Sequence, residues 1–198
     1  MQKKFLGALL TVFMGLSAAS AQQQETPAGN LSAGFYTKPS CVRPGDVTLP
    51  KPAATDRENV LLYNNAIRQH NKQLQGFSAC ITAYTDKASL DIEWILFTVN
   101  TAIAKANTSN PPSEPAAPGN MPSGFYPAPD CSKPEAQPGV APSVHDVKAM
   151  DAYNAKVKTF NASAETYQAC LRSYTARARV DVSRIKQEQV WASQTKAP

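Results

Sequence analysis

An all-α fold built from two copies of one disulfide-stapled module is predicted by three observations. The 198-residue chain aligns with itself at a shift of 90 positions without a gap. Each copy joins a proline-rich arm to a long stretch of helix-forming sequence. The four cysteines fall into two pairs, each separated by 39 residues.

The chain opens on a targeting pattern. Lys3 and Lys4 precede an apolar run from Phe5 to Leu16, and Ala19-Ser20-Ala21 offers small residues to a signal peptidase. Residues 1–21 are therefore expected to be a signal peptide. The run is too short for a bilayer anchor, and no later run is long enough for an integral membrane span. Cleavage would leave 177 residues (198 − 21) and lower the formal charge from +5 to +3, which selects no partner class. Four cysteines in an exported chain read as two disulfides, so the expected location is periplasmic or secreted.

The repeat is dense in residues that chance does not keep in register. Gly34-Phe35-Tyr36 aligns with Gly124-Phe125-Tyr126, Pro39 with Pro129, Cys41 with Cys131 and Pro44 with Pro134. Tyr63-Asn64 matches Tyr153-Asn154, Ala79-Cys80 matches Ala169-Cys170, and Asp91 matches Asp181. Module 1 is placed at 31–107 and module 2 at 121–195, with a proline-rich linker at 108–120.

Within each module the arm comes first, at about 31–54 and 121–142. Proline fixes φ and removes a donor, so these arms should be extended and polyproline-like. Thr55-x-x-Glu58 and Ser143-x-x-Asp146 have the form of capping boxes and should start the helices. The helical stretches carry a heptad-like, coiled-coil stripe. Val60, Ile67, Leu74, Ile81, Ala88 and Ile95 recur every seven residues, as do Met150, Val157, Ala164, Leu171, Ala178 and Ile185. Tyr63, His70, Phe77 and Tyr84, with Tyr153, Phe160, Tyr167 and Tyr174, fill the alternate rows of the same face. The aromatic rows end at Asp91 and Asp181, where tight packing is expected to end too. A 50-residue helix is unusual in a globular domain, so each stretch is either one long helix or a helical hairpin.

Dimensions favour disulfides closed within each module. Cys131 to Ser143 spans roughly 37 Å at about 3.1 Å per polyproline residue. Val144 to Cys170 spans roughly 39 Å at about 1.5 Å per helical residue. An arm running antiparallel along its own helix would thus set Cys41 beside Cys80 and Cys131 beside Cys170. It would also carry Phe35/Tyr36 and Phe125/Tyr126 past the bridge onto the helix.

The run from Ala152-Tyr153-Asn154 through Phe160-Asn161 to Cys170, Tyr174 and Asp181 resembles a pattern in short exported bacterial proteins of no assigned activity. In these, a proline-and-cysteine arm precedes a helix rich in Ala, Asn and Tyr. This chain looks like a tandem version, departing from the pattern at His70 and in the apolar run Trp94 to Val99. The resemblance implies location and architecture and carries over no catalytic residue.

No catalytic constellation is recognisable. His70 and His145 have no second histidine or free cysteine at ligand spacing, and the cysteines form no C-x-x-C pair. Glycine-rich phosphate loops, serine elbows and zinc signatures are absent from the sequence. No enzyme, cofactor or metal site is expected. The reading is a non-catalytic envelope or secreted structural or interaction protein; the alternative is an enzyme inhibitor or an unrecognised hydrolytic enzyme of the envelope. Asp91 and Asp181 are expected to pair with Lys87 and Arg177, each four residues earlier.

Two asymmetries between the copies bear on partners. Residues 143–198 carry nine basic side chains against five acidic ones, whereas residues 55–107 carry five of each. Arg172, Arg179 and Lys186, with Arg177 and Arg184, form the excess, a candidate site for an anionic surface or an acidic envelope protein. Nucleic acid is not expected, because export removes the usual target. The second asymmetry is Trp94-Ile95-Leu96-Phe97-Thr98-Val99, whose counterpart is polar. Leu90, Trp94 and Phe97 fall off the module's own stripe and form a candidate interface. The second module is the first expected cover, ahead of another copy or a foreign partner.

Overall fold

A computed structural model describes residues 28–195 of the chain. The expected signal peptide lies outside the described residues. Among the described residues two helices make up the regular structure: α1, Arg57–Ala106, and α2, Val147–Thr195. Each helical stretch is one uninterrupted helix, 50 and 49 residues long, or about 75 Å at 1.5 Å per residue. Of the two forms open to the sequence, the long helix is realised. No described helix is long and apolar enough to cross a membrane.

The helices start slightly later than the capping boxes suggested. Asp56, not Thr55, caps α1: its carboxylate accepts from the Asn59 N–H at 3.2 Å and the Asn59 side-chain amide at 2.6 Å. Asp146, not Ser143, caps α2, accepting the Ala149 N–H at 3.0 Å. Aspartate takes the position because its ionised oxygens also meet the positive end of the helix dipole. At the far end of α1, the Asn107 and Ser109 N–H groups donate back to Ile103 and Ala104 carbonyls. Thr108 lies between them in the left-handed region, φ 53°, and turns the chain sharply into the linker.

Both disulfides close within their modules, Cys41 with Cys80 and Cys131 with Cys170, each with a Cα–Cα distance of 5.9 Å. The arms run back along their helices with prolines and cysteines half-buried on the helix side: Pro39, Cys41, Pro44 and Pro52, then Pro129, Cys131, Pro134 and Pro138. Beyond each bridge an aromatic pair turns in. Tyr36 packs against Tyr84 with ring centres 6.1 Å apart, and Tyr126 against Tyr174 at 6.2 Å. The tyrosines on the helices tie the arms down, as Tyr84 donates to the Thr37 carbonyl at 2.9 Å and Tyr174 to that of Pro127 at 2.7 Å.

The two helices pack antiparallel through their C-terminal halves. Gln189, late in α2, donates to the Thr85 carbonyl and the Ser89 hydroxyl, both mid-α1, at 2.9 Å. Conversely Val99 and Ile103, late in α1, share a groove with Thr175 and Ala178. The molecule is therefore an elongated pseudo-twofold rod, its core at the overlap and its arm-wrapped ends pointing apart.

Packing contradicts one expectation. The core does not fade at the aspartates but is centred on them: Ala88, Asp91, Ile95 and Val99 are buried in α1, and Ala178, Asp181, Ile185 and Ala192 in α2. The first halves, from Val60 to Leu74 and from Met150 to Ala164, carry stripe residues that are only half-buried. A thin arm covers these, whereas a second helix covers the rest.

Because the outer half of each helix has only its arm for cover, the staple should matter there most. Replacing Cys41 and Cys80 together with Ser should cost about 3–4 kcal/mol for a loop of this length. Urea denaturation should report the loss, and limited proteolysis should cut first between residues 42 and 56.

Candidate functional site

The most concentrated polar constellation lies about two thirds of the way along each helix, in duplicate. Asp91 is fully buried, and three donors converge on it: the Tyr36 hydroxyl at 2.7 Å, the Asn120 N–H at 2.8 Å and the Met121 N–H at 3.1 Å. The Asn120 amide nitrogen reaches the Tyr36 oxygen and the Tyr84 carbonyl, both at 2.9 Å. Ninety residues on, Asp181 is equally buried and accepts from Tyr126 at 3.1 Å, the Asn30 N–H at 2.8 Å and the Leu31 N–H at 3.3 Å. Asn30 then contacts the Tyr126 oxygen and the Tyr174 carbonyl at 2.7 and 3.0 Å.

The two constellations exchange chain segments. Tyr36 serves the aspartate of its own module, but Asn120 comes from the start of the second copy and serves the first. Asn30 comes from the start of the first copy and serves the second. Each copy thus lays its first residues on its neighbour's buried carboxylate before crossing to its own helix. Gly29 and Gly119 make the approach possible, since a β-carbon there would overlap the Asp181 or Asp91 carboxylate.

The chemistry of these clusters is that of latches. Burial, reinforced by the adjacent carboxylate, pushes Tyr36 and Tyr126 well above the ordinary phenol range. Tyr84 and Tyr174, also raised chiefly by burial, are pushed up to about 12. Tyrosines held this firmly protonated serve as donors. The partners expected for the aspartates need correction: among the described residues no ion pair joins Asp91 to Lys87 or Asp181 to Arg177. Asp181 instead pairs with Arg184 at 3.3 Å, and backbone N–H groups take most of the remaining acceptor capacity.

The five candidate anion-binding residues do not share one surface. Arg177 and Arg184 face the first arm, where Arg177 Nε donates to Asn30 Oδ1 at 2.7 Å and Arg184 to the Leu31 carbonyl at 3.1 Å. Arg172, Arg179 and Lys186, spaced by seven, are exposed and form no ion pair among the described residues. Arg172 and Arg179 line a groove of about 910 Å³ together with Lys105 from the end of α1 and Lys133 from the second arm. No carboxylate among the described residues lines it.

The candidate interface is partly occupied by the chain itself. Trp94 Nε1 donates to the Ala117 carbonyl in the linker at 3.0 Å, and Trp94 and Phe97 meet edge to face at 5.7 Å. Phe97 borders a smaller groove beneath the second arm, while Leu90 is half-buried. His70 is half-buried on the stripe and His145 exposed before α2.

Sequence reasoning missed Gly29-Asn30 and Gly119-Asn120. The same 90-residue shift aligns them, two residues before the module starts at 31 and 121, so the signal was present. Searches against protein-family models, curated proteins and solved structures find no match to this chain.

Two measurements probe the latches. Asp91→Ala leaves one hydroxyl and two backbone N–H groups without their buried acceptor, at about 1–3 kcal/mol each, so stability should fall by at least about 3 kcal/mol in urea. Raised tyrosine pKa values mean that the folded state holds protons the unfolded chain releases above about pH 10. The latch contribution should be complete below pH 10 and fade as pH climbs towards 12 and beyond. Tyr36→Phe/Tyr126→Phe should flatten that alkaline decline.

Proposed function

We propose that this protein is a non-catalytic, exported interaction protein that docks on an anionic surface of the cell envelope through the second module. The observation that carries the reading is the row Arg172, Arg179 and Lys186, exposed and without ion pairs among the described residues, the first two sharing with Lys105 and Lys133 a groove that no described carboxylate lines. The corresponding positions in the first copy are Thr82, Ser89 and Leu96, so the row is not required by the module fold. A side chain that the fold does not need, repeated three times on one face, suits contact with a spread-out negative charge.

A location outside the cytoplasm, periplasmic or secreted, accords with the two disulfides and with the leader pattern of the sequence. The non-catalytic reading is supported by how the buried aspartates are used, since their donors hold the arms and the helices together. The resemblance to short exported proteins of no assigned activity fits the same role.

The chain without residues 1–21 should bind vesicles containing phosphatidylglycerol in low salt and lose affinity steeply as salt rises, because exposed charges are screened beyond roughly 8–10 Å. Arg172→Gln/Arg179→Gln/Lys186→Gln should abolish this binding and leave the melting temperature nearly unchanged. Arg177→Gln/Arg184→Gln should do the reverse, loosening the first arm while vesicle binding persists. Binding that ignores salt, or survives the triple change, would sink the surface reading.

A further inference from the structure

The pseudo-symmetry shows where one copy carries an aromatic side chain that the other lacks. In the first module's arm, Lys38 lies over the ring of Trp191 from α2, with its Nζ 5.0 Å from the ring centre. Ninety residues away, the equivalent of Lys38 is Ala128 and the equivalent of Trp191 is Thr101. Where one copy places an indole beneath a cation, the other has two small side chains. The space appears as the smaller groove, about 330 Å³, at the low end of the roughly 300–1,000 Å³ typical of small-molecule sites.

The lining has two characters. Phe97, Ala102, Pro129 and Leu171 give an apolar wall, drawn from α1, the second arm and α2. Lys105 and Lys133 line this groove and also the larger basic groove beside it, so they stand where the two meet. No carboxylate among the described residues lines either one.

Thr101 adds an independent sign. Thr82, Thr85, Thr98, Thr159, Thr166 and Thr175 each donate to a carbonyl three or four residues back in their helix. Thr101 alone among the helical threonines whose side chains are described does not. Its hydroxyl is buried without a partner in the wall of this groove.

We propose that the groove between the end of α1, the second arm and α2 binds a small aromatic anion, its planar body replacing the indole of the other copy and its charge meeting Lys105 and Lys133. The first module shows that this position accepts a two-ring aromatic body next to a cation, Trp191 lying beside Lys38 while remaining partly exposed. Ala128 takes the place of that cation in the second module, where Lys105 and Lys133 supply positive charge from other positions, free to meet an anion or an aromatic face. The site does not depend on the surface row, because Lys186 lines neither groove, and Arg172 and Arg179 line only the larger one.

The test uses the full-length chain and 2-naphthoate as the probe, with uncharged 2-naphthamide as control, followed by calorimetry. Saturable 1:1 binding of the anion is expected, at least tenfold tighter than that of the amide. Thr101→Trp fills the groove as the other copy does, and should abolish binding with an unchanged or raised melting temperature. Should that variant fold poorly, Lys105→Gln/Lys133→Gln, at two exposed positions, should weaken the anion at least tenfold. Failure of the wild type to bind, equal affinity for the amide, or full binding in the variants would overturn the proposal. The triple variant of the surface row should still bind 2-naphthoate, which separates this site from vesicle docking.

Discussion

A carboxylate buried in the second half of each helix must be answered by donors, and neither module supplies enough of them alone. Tyr36 brings one hydroxyl to Asp91 from its own arm, but the two backbone N–H groups that complete the shell come from residues 120 and 121. Burying an ionisable group without such partners costs several kcal/mol. The cost is met only when the second copy lies alongside, with its first residues across the first helix. The reciprocal demand at Asp181 draws residues 30 and 31 the other way.

Much of the architecture follows from that exchange. The helices must overlap where the aspartates are, so they pair antiparallel through their second halves and leave the first halves to the arms. A segment that serves one module and then crosses to the other has to be extended, free of helix and short, which is what glycine and proline provide. The arm then needs fixing at its far end, and the disulfide near mid-helix does this on each side. Latch and staple thus hold successive parts of one strand, the first by hydrogen bonds to a buried charge and the second covalently.

Once the two copies share these requirements, their differences become informative. The buried aspartates, the asparagines and tyrosines around them and the bridges are the same in both, although Asp181 also pairs with Arg184, where the first copy has Trp94. Other differences lie on the outside of this framework: a basic row on α2 with no equivalent on α1, and a groove beneath the second arm where the first module has Lys38 beside Trp191. Trp94 and Phe97, which break the apolar pattern of the first helix, border this same region and are partly covered by the linker. Residues that the fold does not require cluster at the junction of the first helix's end with the second module.

The sequence by itself determined the duplication, the all-helical class and the disulfide pairing, because repeat register, stripe periodicity and arm length are local quantities that add along the chain. It placed the caps within a few residues and left helix and hairpin equally open, since propensity does not say whether a second helix will support the middle of a long one. Where the core lies was decided only by tertiary structure. Asp91 and Asp181 read as the end of the packed region because a lone acid on an apolar face looks like an interruption. They became its centre because donors arrived from 29 and 151 residues away along the chain. The five basic residues likewise looked like one patch in sequence, and α2 divided them, turning Arg177 and Arg184 onto the first arm and Arg172, Arg179 and Lys186 to the outside. A helix assigns residues to faces, but only its neighbours decide which face is covered.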